Sequence, residues 1–497
     1  MWALRNALWN AWNRFKYKSY EPVVVPAPVD GPAIGVAPIA DRYDGIEVAK
    51  VLVPVGIPDD EAEAARSKLY RVQARLLRWF SPMRGQLDPI DADPAKALAT
   101  AYPAKHQKRF RSPVLPDVYR DGVDLGGVAF AGPYTGLLAA DGDGLAWDLR
   151  HLDGFDHHGG LRSLGSHVRF AVDGSGLRAT EIDCDLGVVR PDDAQWQEAC
   201  RLALCAASTS LSIEQHFTWL HYVANTQVAV ATRNALGADH PLRRLLWPHV
   251  FRSHFTADII TEGQLEPGAD LECMYSFTAK GVWQVMDSAA ERFDLLWIDP
   301  ERDAARRGLT TAGVALPPLT NRLDHLAVMH AHAQRYLELY YPTDGDLAND
   351  AAVGAFVEHL RRTLPGADAF VAGTPTVAGL ARLVGSFIHL ATVEHEIVGA
   401  GGWDYQLWPQ AQPCRVYANG QRMPIDVYQR LVNFNFLLNV PRTPLLQDFS
   451  FLGVDEPGRA EFRRFLTELR SLQTRLEGEP GGPWRFTPAQ LLANINV

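Results

Sequence analysis

No two cysteines in the chain are spaced as Cys-x-x-Cys, and its five cysteines (Cys184, Cys200, Cys205, Cys273 and Cys414) are odd in number. That leaves no basis for a zinc ribbon, a dithiol redox motif or a disulfide framework, and points to reduced, mostly buried thiols. Excess positive charge is missing too. The formal net charge is −10, whereas a protein built to hold nucleic acid needs a basic surface for the phosphate backbone. No run of roughly 18 uncharged apolar residues occurs, so a membrane-spanning helix is not expected. Walker loops, Rossmann fingerprints, Gly-x-Ser-x-Gly elbows and His-Glu-x-x-His are also lacking, which gives no support to nucleotide-dependent, serine-hydrolase or zinc-protease chemistry. What remains is a chain of 497 residues, 47% apolar and 21% charged. It can bury one or two large cores, with an ordinary soluble composition.

The amino-terminal run Met1-Trp-Ala-Leu-Arg is broken by Arg5, Asn6, Asn10 and Asn13, so a cleaved secretion signal is not expected. Leu4, Leu8, Ala11, Trp12 and Phe15 fall at helical spacing beside Arg5, Arg14, Lys16 and Lys18. Such a helix rests either on a membrane surface or on the protein's own body, over a pocket mouth. A cytoplasmic location, peripheral to a membrane in the first case, is the matching expectation. Pro22 to Pro38 reads as an extended tie, and Asp59 to Phe80 as a helix with an acidic first turn. Residues 83–160 are rich in Gly, Pro and Asp. The strand candidates are Val168–Val172 and Leu177–Cys184, joined through Asp173-Gly174-Ser175-Gly176. From Asp192 onward the pattern is mostly helical: Asp192–Leu211, Ile213–Leu236, Leu323–Tyr341, Asp350–Arg362, Thr376–Val398, Ile425–Leu438 and Arg459–Leu476. The fold expected is mainly α, one large helical domain after an irregular amino-terminal third.

Chemistry enters with His216 and His221, five positions apart in Glu-Gln-His-Phe-Thr-Trp-Leu-His. On an ideal α-helix such a pair diverges by about 140°. The two converge only on a π-type widening, which is rare and often marks a functional site. They are therefore either two unrelated helical histidines or two ligands on a widened turn. A third histidine lies in Thr-Val-Glu-His395-Glu-Ile-Val-Gly, and the sequence closes on Leu491-Leu-Ala-Asn-Ile-Asn-Val497. Three imidazoles and a carboxylate form a mixed nitrogen and oxygen donor set that suits iron better than a thiolate-loving ion.

The blocks around these histidines resemble the lipoxygenase family. Val188-Val-Arg-Pro-Asp-Asp-Ala-Gln-Trp196 is similar to the family's lead into its first iron helix, which His216-Phe-Thr-Trp-Leu-His221 and Val230-Ala-Thr-Arg-Asn continue. His240-Pro-Leu-Arg-Arg-Leu-Leu-Trp-Pro-His249 is close to its His-Pro…Pro-His signature. Tyr336-Leu-Glu-Leu-Tyr-Tyr-Pro-Thr-Asp344 with Asp350 resembles the block before the second iron helix, and Phe387-Ile-His-Leu-Ala-Thr-Val-Glu-His395-Glu-Ile-Val-Gly399 that helix itself. The resemblance covers about residues 185–497 and is most specific at His-x4-His and His-Pro…Pro-His.

It implies His216, His221, His395 and the α-carboxylate of Val497 as ligands of a non-heme iron, with manganese as the alternative ion. No catalytic side chain is implied beyond the metal and its bound hydroxide. The implied activity removes a hydrogen atom from an activated methylene of a polyunsaturated fatty acid or related lipid, adds dioxygen and gives a hydroperoxide. Two departures stand out. Val497 replaces the usual final isoleucine, a mild change for a backbone ligand. Gly399 stands where the family often has an asparagine one turn after the third histidine, and that removes a side-chain oxygen. Glu394 and Glu396 are expected to point away from the face of His395, as outer partners only. His389, His240, His249, His330 and His332 are expected to pack or cap, and His157-His158 to lie in a surface loop.

The resemblance further implies residues 111–497 as the catalytic domain. Residues 1–110 would form a helical and extended segment serving as lid or membrane contact, without the β-barrel lipid-binding domain of eukaryotic members, as in shorter bacterial-type ones. The partners implied are an unsaturated lipid or another small molecule and O2, with membrane contact through residues 1–18 and no nucleic acid. Two other readings stay open: the same iron fold oxidising a non-lipid small molecule, and a metal-free lipid-binding protein.

Overall fold

Long apolar periodicity becomes long helix. In a computed structural model, which describes residues 23–62, 123–174, 176–400, 406, 413–421, 423–424, 427, 430–431, 442–480 and 485–495, one helical rod runs from Trp196 to Ala235. It consists of α1 (Trp196–Thr209), a π-helical stretch (Ser210–Asn225) and α2 (Thr226–Ala235). After α3 (Pro241–Val250), α4 (Ser253–Gln264) and α5 (Ala279–Arg292) comes the long α6 (Pro317–Tyr340), then α7 (Ala351–Thr363). A second rod follows: α8 (Val377–His389), a short π stretch (Leu390–Glu394) and α9 (His395–Ala400). Last comes α10 (Glu456–Gly478). The stretch Val377–Gly399 is long and apolar enough to cross a membrane, yet 83% of its most apolar window is buried inside the protein. It is a core helix, packed against α6. The mainly α architecture expected from the sequence is the one observed.

The irregular stretch before the first rod holds more strand than its composition suggests. β1 (Val36–Pro38) and β2 (Leu52–Pro54) pair antiparallel. β3 (Ala139–Asp141), β4 (Gly144–Asp148), β5 (His167–Asp173), β6 (Gly176–Cys184) and β7 (Gly187–Val189) form an antiparallel sheet in sequential order. The expected hairpin is β5–β6. β3, β4 and β7 correct the reading of this stretch as irregular: Ala, Gly and Asp disfavour strand locally, but ladder bonds to β5 and β6 and an apolar inner face prevail. That face is marked by Trp147, whose ring centroid lies 5.0 Å from Phe170 and 5.8 Å from Tyr134.

Residues 23–35 form the extended tie expected of that segment, held by the first rod and α3. Trp247 Nε1 donates to Pro26 O at 2.7 Å, Arg243 Nη2 to Val29 O at 2.6 Å, and Asn234 exchanges two bonds of 2.8 Å with Ile34. Further on, Glu61 is buried and accepts from Arg233, from the His254 ring and from the backbone N–H groups of His254 and Phe255 at the start of α4. Burial alone would raise its pKa, but His254 and Arg233 outweigh that and hold it at about 2. A carboxylate depressed on folding stabilises fully above its ordinary value near 4.5, and the contribution fades as pH falls towards the folded value. Glu61→Gln is therefore expected to lower the urea midpoint at neutral pH, with a gap that narrows steadily on acidification. A gap independent of pH would contradict this account.

The helix expected over Asp59–Phe80 falls mostly outside the described residues, as does Ile425–Leu438. The amino-terminal helix over residues 1–18, the division at 110/111 and Val497 lie wholly outside them.

Candidate metal centre

Position in the two rods decides the site. The first π stretch contains both His216 and His221, the second ends one residue before His395, and the two stretches touch. The widening that an i,i+5 pair requires is therefore present. Threonines record it. In the α-helical turns Thr209 and Thr232 donate to the carbonyl four residues back, as a helical threonine ordinarily does. In and after the first π stretch Thr218 reaches five back to Ile213 O at 2.8 Å, and Thr226 five back to His221 O at 3.0 Å. The second of these bonds fixes the carbonyl of His221.

Among the described residues, His216, His221 and His395 form the group of three or more candidate ligands whose donor atoms converge, all within 4.8 Å of one another. Their ring centroids are 4.7, 5.2 and 5.2 Å apart, and each residue is at most 2% exposed. The Nε2 atoms of His216 and His221 lie 3.1 Å apart. Two cis ligands at about 2.1 Å from one metal are separated by about 3 Å, so this edge fits a coordination polyhedron. Burial, then the neighbouring His395 and Arg442, pushes the pKa of His216 well below 6.5. Its imidazole is therefore neutral at physiological pH. On converging nitrogens and burial, the residues present fit a metal ion.

The surroundings position these rings. Glu394 does point away from the cluster, as expected, and forms a forked ion pair with Arg322 of α6 at 2.8 and 3.0 Å. Glu396 departs from expectation. Its carboxylate lies 3.7 Å from His395 Nδ1 and 3.5 Å from Arg442, because it leans along the helix toward the ring instead of away from it. Glu214, two residues before His216, is buried and accepts from His151 at 2.9 Å, from Arg292 and from Ser210. Burial would raise its pKa; His151, Arg292 and Ser210 together lower it. This anchor joins the sheet region and α5 to the first rod.

The other histidines sort as packing or capping residues. His240 caps α3 through its Nδ1 and meets Asp350 at 3.1 Å. His330 meets Ser386 Oγ, and His332 stacks on Phe465 and meets Glu461. His389 is buried outside the cluster. His249 is more than packing, since its Nδ1 lies 2.6 Å from Ala493 O and so grips the carboxyl-terminal tail. The tail is also paired to residues 443–445 through Ala493 N→Thr443 O and Leu445 N→Leu491 O. Thr256 of α4 donates to Ile495 O at 3.3 Å. Ile495 is fully buried, and Leu492 is half-buried between buried Leu491 and Ala493. Gly399 is buried one turn after His395 and contributes no side-chain donor.

No family model matches the chain. Linoleate 9S-lipoxygenase 2 of Oryza sativa subsp. japonica is 27% identical over 328 residues, 56% of this chain and 37% of the rice protein. Manganese lipoxygenase of Pleurotus sapidus is 22% identical over 47% of this chain and 37% of its own length. The alignments thus span well under half of either relative. In three dimensions, the structure of a calcium-dependent 11R-lipoxygenase superposes with a TM-score of 0.74, over 93% of this chain and 78% of that one, at 15% identity. The chain is lipoxygenase-like. The resemblance stated from its motifs is matched by sequence relatives and by fold, and the lipoxygenase-like helical body is the part that carries the three histidines.

Proposed function

We propose that the protein is a non-heme iron dioxygenase that inserts O2 into a polyunsaturated fatty acid or related lipid. The reaction is removal of a hydrogen atom from a methylene between two double bonds, followed by addition of dioxygen to give a hydroperoxide. The observation that carries this reading is the convergence of His216, His221 and His395 on one buried point, within a fold shared with lipoxygenases. The sequence relatives named for linoleate and for manganese support the substrate class and the choice between two redox ions. We take Val497 to supply its α-carboxylate as the anionic donor, a group with a reference pKa of about 3.5 and so charged at neutral pH. An iron or manganese ion held there supplies one-electron redox chemistry.

The residues of the chain do the rest. Burial keeps the His216 imidazole neutral, and His216 and His221 share one face because the rod is π-wound. Phe217, Leu220, Ile397 and Val398 are buried on the rods that carry the three histidines and would shield a metal held there from bulk water. His249, Thr256 and Thr443 hold the tail up to Ile495. Glu396 places a carboxylate 3.7 Å from His395 Nδ1. No acid–base side chain is required, which accords with the lack of a hydrolytic triad.

The test is metal content with diene turnover, on the wild type and on a variant carrying a few residues beyond Val497. About one iron per chain and conjugated-diene formation from linoleate are expected for the wild type, with both sharply reduced in the extended variant. Iron without consumption of any unsaturated lipid would favour a non-lipid substrate. No bound metal would favour a lipid-binding protein with structural histidines. Full metal and turnover in the extended variant would remove Val497 from the ligand set.

A further inference from the structure

Helix α4 lies along the first π stretch, and its inward face is marked at two points. Near its start Thr256 holds Ile495 O at 3.3 Å, and further along Thr261 Oγ1 meets the hydroxyl of Tyr222, the residue after His221, at 3.1 Å. At about 100° per residue, Gln264 falls between Thr256 and Thr261 in direction, one turn beyond Thr261 along the axis. It therefore sits on the face that follows the rod carrying His216 and His221. Gln264 is 1% exposed, and among the described residues neither its Oε1 nor its Nε2 has a hydrogen-bond partner.

That is unusual accounting. A primary amide can donate two hydrogen bonds and accept two, and the large majority of buried polar side chains have a partner. The adjacent polar groups are engaged elsewhere: the Thr261 hydroxyl with Ala257 O and Tyr222, and the Trp283 indole N–H with Leu265 O at 3.0 Å. A leucine would fill this position without the desolvation penalty. The amide is kept where no described protein group satisfies it.

We propose that Gln264 recognises a neutral hydrogen-bonding group of the substrate, a hydroxyl or an ester or amide carbonyl, carried on the unsaturated chain. The protein would then select an oxygenated or polar-ended lipid over one that presents only hydrocarbon to this face. The group is neutral because Gln264 brings no charge, and a carboxylate delivered to it would be desolvated without a counter-ion. This inference rests on the dioxygenase reading above, since it names the substrate class of that site.

The experiment uses the metal-loaded, full-length protein with two probes, linoleyl alcohol and the corresponding diene hydrocarbon bearing a methyl in place of the hydroxymethyl group. Wild type and Gln264→Leu are compared for kcat/KM and, independently of turnover, for dissociation constant by tryptophan quenching. The wild type is expected to prefer the alcohol by about tenfold or more, since a site built to bond a polar group rejects the analogue lacking it. Gln264→Leu is expected to bring the two probes near parity, mainly by improving the hydrocarbon, with no fall in thermal midpoint. Gln264→Met serves as second variant should the leucine protein fail to fold. Equal preference in wild type and variant, with turnover retained, overturns the inference: the amide is then satisfied by ordered water alone, and the dioxygenase reading stands. Wild-type protein that neither binds nor consumes either diene overturns the dioxygenase reading, and the role of Gln264 with it.

Discussion

Replacing His221 with alanine is expected to yield a folded protein that holds little iron and gives no measurable diene turnover. The three imidazoles are buried and converge within 4.8 Å, so each supplies a share of the binding free energy that no neighbouring side chain can replace. Loss of an outer partner at a metal site costs about 10–100-fold in affinity or activity, and loss of a direct donor is expected to exceed that range. His389→Ala is the matched control. His389 is as deeply buried as His395 and lies six residues earlier on the same rod, but outside the cluster. It should therefore lose packing and keep its metal. Metal quantification beside thermal melting separates the two cases. Equal iron in His221→Ala and wild type would show that the cluster is structural, and equal loss in both variants would show that metal content merely follows stability.

That control was already implicit in the sequence, and it shows what a sequence can carry. The His-x4-His interval forbids convergence on an ordinary helix, so the spacing left either two unrelated histidines or a π widening, and the structure has the widening over Ser210–Asn225. Thr218 and Thr226 held a further sign of it, because their hydroxyls reach five residues back. That sign is unreadable without coordinates: a threonine looks the same whether it bonds four or five residues behind it. The rods were legible because each repeats an apolar stripe over several turns. Strand β4 was not, since Gly144-Leu-Ala-Trp-Asp148 has little intrinsic strand preference and owes its conformation to β5. The ion pairs escaped notice for the same reason. Arg322 and Glu394 are 72 positions apart, and nothing local to either residue names the other. His249 was legible as part of a signature, but its grip on Ala493 depends on where the tail returns.

Arg322→Met is expected to be the most destabilising single substitution near the centre, by about 3–5 kcal/mol, because it strands the Glu394 carboxylate in the interior without a partner. Both side chains are at most 10% exposed, and the guanidinium grips both carboxylate oxygens. Glu394 closes the second π stretch and immediately precedes His395. Strain at this pair therefore passes directly to the His395 ring, and if that ring holds iron as proposed the variant should also release it more readily. The double variant Arg322→Met, Glu394→Leu removes both charges and should recover most of the urea midpoint, since a buried ion pair replaced by apolar groups of similar volume is often neutral. Its iron affinity separates two roles for the pair. If affinity returns along with stability, the pair serves the fold alone. If stability returns while iron still dissociates faster than from wild type, the fork of Arg322 also holds the widened turn that presents His395. A single variant as stable as wild type would mean that Glu394 finds another partner, and the assigned coupling between α6 and the second rod would fail.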